Sequence, residues 1–291
     1  MAIELQQVSY TYAERSLWKQ TALHGIDLSI KQGSIVGIAG ATGSGKSTLL
    51  QLFNGILKPT QGTVRVLDVT IKAGEKSPKL FPLRRRVGLV FQFPEQQMFE
   101  ETVEKDLCFG PLNFGMSLDE AKERARKAMN DMGLDLKLLD RNPFRLSGGQ
   151  MRKAAIASVL AMEPDVVVLD EPTATLDPIS RAELIALLVR LCREQGRTII
   201  IVTHRMDELL PYADSWIVLN EGSTAFQGSV KELAADPAIL ERCGLTVPQS
   251  LRYWRAVADR FGLDGENPRL TAESLAELIA SLPAGKRDAH E

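Results

Sequence analysis

Apolar positions alternate with polar ones over Ala2–Ser9, through Ile3, Leu5 and Val8, and again over Leu23–Ile30, through Ile26, Leu28 and Ile30. A period of two puts such residues on one face of a strand, so both stretches are predicted half-buried strands. Beyond Gly33 the pattern changes. Ile35–Ala39, Val87–Phe91, Val166–Asp170, Thr198–Thr203 and Trp216–Asn220 are short and largely apolar throughout, as strands buried on both faces are. Thr63–Val69 and Thr224–Gln227 are predicted as further strands. Between these lie segments of helical character: Ser47–Phe53, Glu104–Met132 (with Ala121, Ala125, Ala128, Met129 and Met132 at helical spacing), Gln150–Met162 and Ser180–Gln195. Strands alternating with helices predict an α/β fold with a mostly parallel sheet covered on both faces, plus an antiparallel portion at the amino end. The helical stretch from about 93 to 162 interrupts the alternation and reads as an inserted subdomain.

After Gly228 the strands stop. Val230–Ala235 is a short helix. Leu251, Trp254, Ala258 and Phe261 form one apolar helical face, and Leu275, Leu278, Ile279 and Leu282 form another behind the N-cap Thr271. The expected division is a main domain over 1–230 and a helical appendage over 231–291. The charged end, Gly285–Glu291, is expected to be disordered. Both apolar faces are too short to make a core alone, so the appendage is expected to serve as a dimer contact.

Among the 291 residues, Lys+Arg number 35 against Asp+Glu 37, a net charge of -2. So neutral a chain has no global basic field, which argues against a dedicated nucleic-acid binder. No apolar run approaches the roughly 18–20 residues of a spanning helix, and no signal peptide is visible at the amino terminus. A cytoplasmic protein is expected, one that needs other chains to cross a membrane. Cys108, Cys192 and Cys243 are scattered and form no CxxC pair. That argues against a disulfide framework and a zinc site.

The chemistry concentrates in three places. Gly40-Ala41-Thr42-Gly43-Ser44-Gly45-Lys46-Ser47 fits GxxxxGK[ST] between an apolar strand and a helix, the context in which that motif cradles phosphates. Glycines let backbone N–H groups converge on phosphate oxygens, and the helix dipole adds to the attraction. Lys46 supplies a compact positive charge, while the Ser47 hydroxyl, beside Thr48, suits Mg²⁺. The second place is Asp170-Glu171, at the carboxyl end of an apolar strand, where open α/β sheets hold their ligands. Asp170 suits a Mg²⁺ contact and Glu171 a general base for attacking water. The third is Leu146-Ser147-Gly148-Gly149-Gln150 at the start of a helix, where a hydroxyl, exposed N–H groups and a dipole make an anion site.

With that third motif the chain resembles the ATP-binding-cassette (ABC) ATPases over roughly residues 2–230. The resemblance implies that Ser147, Gly148, Gly149 and Gln150 contact the γ-phosphate of an ATP held by an opposite subunit. It also implies that Gln92 reaches Mg²⁺ and the attacking water, that Asp177 belongs to the D-loop, and that His204 bonds the γ-phosphate. Thr175 stands where the family more often has glycine. Tyr12 matches the aromatic that stacks on adenine; Tyr10 is a candidate for the core, and Trp18 competes for the base.

A closer resemblance rests on Phe91–Val103, Phe109–Gly115 and Asn54–Thr60. These look like the ATPases of energy-coupling-factor transporters, of the second (A-prime) type. That resemblance implies ATP hydrolysis, with ATP and Mg²⁺ as ligand and ion, powering import of a vitamin or transition-metal ion. The implied partners are a second such ATPase, as heterodimer or homodimer, a transmembrane coupling protein and a substrate-binding membrane protein. The chain would then sit peripherally on the cytoplasmic face of the membrane. The acidic run containing Glu95, Glu100, Glu101, Glu104 and Asp106 would receive arginines of the transmembrane partner, with Glu95 as first choice. A soluble ABC ATPase acting on nucleic acid or ribosomes is the alternative, but 291 residues hold neither two cassettes nor a long coiled-coil insertion. A P-loop kinase gives Leu146–Gln150 no role.

Overall fold

A computed structural model describes residues 1–13, 18–263 and 267–281. Its elements run β1 (Ile3–Tyr12), β2 (Gln20–Ile30), β3 (Ile35–Gly40), α1 (Lys46–Phe53), β4 (Gln61–Val66), β5 (Val69–Lys72), α2 (Phe81–Arg86), β6 (Val87–Val90), α3 (Val103–Asn113), α4 (Leu118–Asp131) and α5 (Gly148–Leu160). Next come β7 (Val166–Asp170), α6 (Pro178–Gln195), β8 (Thr198–Val202), α7 (Met206–Leu209), β9 (Ser215–Asn220), β10 (Ser223–Ser229), α8 (Val230–Ala235), α9 (Ala238–Arg242), α10 (Gln249–Phe261) and α11 (Ala272–Ser281).

Two sheets form. One has the order β10-β9-β3-β8-β7-β6, parallel except for β10, and the other is antiparallel with the order β2-β1-β4-β5. The continuous apolar runs are what a sheet covered on both faces requires. Along β3 and β8, Ile35, Ala39, Ile199 and Ile201 enter one core, while Val36, Ile38, Ile200 and Val202 enter the other. The first core lies toward α5, α6 and the appendage; the second is shared with α1 and the antiparallel sheet. β6 and β7 pair directly in parallel, yet the connection between them carries α3, α4 and α5. That is the inserted helical portion expected about 93–162.

Three expectations change. The strand expected over Thr63–Val69 is a hairpin, because Leu67 takes a left-handed φ of 54° and turns the chain between β4 and β5. The helical stretch over Glu104–Met132 is two helices. Gly115 at φ 84° ends the first, and Ser117 opens the second with a reciprocal capping box to Glu120. Last, the face Leu251/Trp254/Ala258/Phe261 is buried in this chain's own first core. It covers its own cassette and is not open to a partner. Leu275, Leu278 and Ile279 of α11 are only half-buried. Leu282 and the tail 285–291, expected to be disordered, lie outside the described residues.

Candidate functional site

The loop Gly40–Gly45 leaves the end of β3, at the sheet's centre, and feeds α1. Gly45 sits at φ 97°, and a Cβ there would lie 2.6 Å from Leu23 Cδ2 and 2.7 Å from the Ala22 carbonyl oxygen. Both conformation and crowding therefore require glycine. Lys46 donates to the carbonyls of Gly40 and Ala41 at 2.7 and 2.8 Å, folding its ammonium over the loop. Burial holds its pKa below the ordinary lysine value, against the pull of Asp170 and Glu171. Ser44 Oγ is buried without a hydrogen-bond partner. An orphaned hydroxyl on a loop of backbone donors is a group that an anionic oxygen would satisfy.

This loop forms one wall of a cavity of about 560 Å³. Its lining brings together Thr42, Gly43, Gly45, Lys46, Ser47 and Thr48 with Tyr12, Gln92, Asp170, Glu171 and His204. Stretches almost two hundred residues apart in sequence meet there because β3, β7 and β8 are neighbours that end on the same side. Gly40 and Ser44 stand just behind that lining. Tyr12, rather than Tyr10 or Trp18, reaches the cavity, and its hydroxyl lies 3.0 Å from Thr48 Oγ1. Tyr10 instead packs against the second core.

Ser47 donates to Asp170 Oδ2 at 3.2 Å. Hydroxyl and carboxylate oxygens together are the hard donors that Mg²⁺ takes, with phosphates and water completing its shell. Burial raises the Asp170 carboxyl against the bonds that favour its ionised form. Glu171 goes further: burial, opposed by the His204 N–H and reinforced by Asp170, pushes it up to about 7. It is held by that 2.9 Å bond from the His204 backbone and by a left-handed φ of 49°. A carboxyl titrating near neutrality suits a proton acceptor working at that pH. His204 Nε2 lies 3.5 Å from Glu171 Oε1. Burial and the Lys46 ammonium hold the imidazole below its ordinary value, so near pH 7 the contact is not an ion pair.

The signature residues are elsewhere. Ser147, Gly148, Gly149 and Gln150 do not line the cavity. Ser147 caps α5, accepting from Gln150 N at 3.3 Å while its own N–H donates to Gln150 Oε1 at 3.1 Å. A Cβ on Gly148 would meet nothing within 4 Å, and neither glycine has a positive φ. Among the described residues nothing demands glycine here. Asp177 caps α6 through the N–H groups of Ile179 and Ser180, both at 3.0 Å. Thr175 adopts φ 65°, a conformation that glycine takes freely and a β-branched residue does not.

Glu95 does not stand where the resemblance put it. Its two oxygens accept from Arg152 Nη2 at 2.8 Å and Nε at 3.0 Å, so it is no open acceptor for another protein's arginine. Arg152 is 1% exposed and must be paired at burial of that depth. Its remaining nitrogen donates to the carbonyls of Pro172 and Ala174, and the guanidinium lies 5.8 Å from the centre of the Phe93 ring. One buried cation thus ties the segment after Gln92, the helix of Ser147 and the segment after Glu171. Asp106, itself buried at 6% exposure, lines a neighbouring groove with Phe91, Met98, Phe99 and Phe109. It accepts from the N–H groups of Phe99 and Glu100 at 3.2 and 3.3 Å.

Comparison with known proteins agrees with this geometry. The family described as ABC transporter matches residues 23–174. The energy-coupling factor transporter ATP-binding protein EcfA2 of Bacillus cereus is 48% identical over 97% of this chain and 96% of the relative. CbiO1 of Clostridium perfringens, described as part of the ABC transporter complex CbiONQ, superposes with a TM-score of 0.72 at 38% identity, covering 87% of this chain and 98% of that one. The ATP-binding cassette MJ0796, solved as a dimer bound to ADP and Pi in a post-hydrolysis state, superposes with a TM-score of 0.70 at 29% identity, over 78% of this chain and 98% of that one.

Proposed function

The chain belongs to the ABC transporter family, among the ATP-binding proteins of energy-coupling-factor transporters, and on that basis we propose that it hydrolyses ATP to power import through a separate membrane complex. The observation that carries the reading is the cavity in which the phosphate loop, Asp170, Glu171, His204 and Gln92 face one another. ATP's phosphates enter the Gly40–Ser47 loop, where they supply the partner that Ser44 Oγ lacks and draw out the turned-in Lys46, and Tyr12 receives the adenine. Ser47 and Asp170, with Gln92, would hold Mg²⁺, which would neutralise phosphate charge when bound. Glu171 takes the proton of the attacking water, and His204 holds the γ-phosphate.

The signature supplies the other half. Gly148 and Gly149 are spared any side chain where nothing in this chain crowds them. That is the shape expected of a surface which a second cassette's ATP approaches closely. Each ATP then lies between the Lys46 loop of one chain and the Ser147 helix of another. ATP favours the closed pair because its γ-phosphate contacts both sides, and hydrolysis removes that preference.

Among the described residues no helix is long and apolar enough to cross a membrane; the similarity to subunits of membrane transporters supports peripheral work there, through partners. The groove lined by Phe99 and Phe109 is where a transmembrane coupling protein docks: both rings are exposed and meet edge to face at 4.9 Å. The second ATPase, the coupling protein and a substrate-binding membrane protein complete the complex, and a vitamin or transition-metal ion is its cargo. The similar proteins are transporter subunits, and the nucleic-acid alternative finds no support among them. Purification of the chain with its membrane partners, then reconstitution in vesicles, tests this. ATP-dependent uptake is expected; ATP hydrolysis that never couples to any membrane partner, or that responds only to nucleic acid, would refute it.

A further inference from the structure

α10 lacks a cap of its own. Its N-cap residue is Pro248, which offers no side-chain acceptor, whereas α3, α4, α5, α6 and α8 are each capped by their own Ser, Thr or Asp. The cap comes instead from Asp207. Its carboxylate accepts from Gln249 N at 3.1 Å, from Ser250 N at 3.0 Å and from Ser250 Oγ at 2.6 Å. Asp207 stands on α7, three residues after His204. The next residue, Glu208, forms an ion pair with Arg181 of α6 at 3.1 Å, and α6 is the helix that Asp177 opens. The short helix beyond His204 is therefore clasped on one side by the D-loop helix and on the other by the appendage.

We propose that Asp207 is a positioning residue that makes the appendage part of the catalytic mechanism: through its cap on α10 it fixes α7, and α7 fixes where His204 stands against Glu171. The inference rests on the catalytic reading of His204 and Glu171. The geometry favours such a link over a plain helix cap because the donor and acceptor segments lie 42 and 43 residues apart, and because α10 is itself anchored. Leu251, Trp254, Ala258 and Phe261 root it in the first core, so Asp207 is tied to a fixed post. Coupling of this kind is reciprocal. ATP that engages His204 tightens the cap, and a partner that shifts α10 alters turnover without touching the cavity.

Kinetics of the full chain in its ATPase assembly test the proposal. Asp207→Ala is expected to weaken ATP binding by about five- to tenfold, within the ordinary range of coupling between sites, and to lower kcat along with it. Asp207→Asn, which keeps one acceptor oxygen, should recover most of that loss. Hydrogen exchange supplies a readout that a stabilising cap alone would not move: the Gln249 and Ser250 amides should be better protected with a non-hydrolysable ATP analogue than without nucleotide, and Asp207→Ala should abolish the difference. Wild-type kcat in Asp207→Ala at a temperature where it is folded overturns the proposal, whatever its melting point. So does exchange at these amides that ignores nucleotide in the wild-type chain. Failure of the catalytic reading would show separately, as His204→Ala with normal turnover.

Discussion

The phosphate loop and the signature helix are both glycine-bearing helix starts, and they differ in where the need for glycine arises. In the loop it arises inside the chain: Gly45 is left-handed and pressed against Leu23 and the Ala22 carbonyl. At the signature, Gly148 is in ordinary conformation and open space. Glycine inside a helix costs roughly 0.5–1 kcal/mol relative to alanine, an upper bound at the first turn, and at Gly148 no internal contact offsets it. On the proposed function, the cavity is half a site whose constraints are visible in one chain, and the constraint on the other half comes from a second cassette.

The largest expected effect lies in the cavity. Glu171→Gln should lower turnover by about 10²–10⁴, the usual worth of a positioned general base, while leaving ATP binding intact. In the wild type, turnover should rise with pH through about 7 as Glu171 loses its proton. The same shift has a stability consequence of opposite sense. Because burial raises the folded carboxyl above its ordinary 4.5, its contribution is full below about pH 4.5 and is lost as pH rises through about 7. At pH 8 the ionised group therefore destabilises the nucleotide-free fold, and Glu171→Gln should stabilise it by roughly 1–3 kcal/mol. Melting curves at pH 5 and pH 8 would show the gain only at the higher pH.

Arg152→Ala comes next. It strands a half-buried Glu95 carboxylate and two carbonyls, at a cost of about 3–5 kcal/mol by the precedent of broken buried pairs. Denaturant unfolding measures it; a loss below about 1 kcal/mol, the worth of a surface pair, would mean that this junction is not a buried ion pair in solution.

Matched substitutions separate the two glycines. Gly45→Ala should destabilise the chain by about 1–3 kcal/mol, through overpacking and backbone strain. Gly148→Ala should leave stability unchanged or improve it by up to about 1 kcal/mol, yet slow turnover in the assembled pair. Equal destabilisation by both, or unimpaired turnover with Gly148→Ala, would erase the distinction.

Much of this was legible in sequence because the motifs are local. Lys46, Ser47, Asp170 and Glu171 sit in runs whose strand–loop–helix context is itself patterned, and the two-faced burial of β3 and β8 follows from unbroken apolar runs. The inserted helices and the place of Tyr12 were reachable through pattern and family resemblance. What escaped is what depends on distant or atypical partners. The turn at Leu67 uses a residue that propensity does not assign to left-handed backbone. Glu95 reads as an exposed acid until Arg152, 57 residues on, is folded against it. The apolar face of α10 has the same spacing whether it covers its own cassette or another's. Asp207 carries no motif at all; only the fold brings it to α10.

Ser147→Arg tests the shared site most directly. Ser147 caps α5, so some thermal stability is lost, about 1 kcal/mol for a missing cap. ATP affinity of the isolated chain, by calorimetric titration, should nevertheless stay within about twofold of wild type, as for an ordinary surface substitution. ATP-dependent association with the second ATPase, monitored by light scattering, should be lost. A marked fall in the isolated chain's own ATP affinity would place the signature in its own cavity and contradict a site built from two chains.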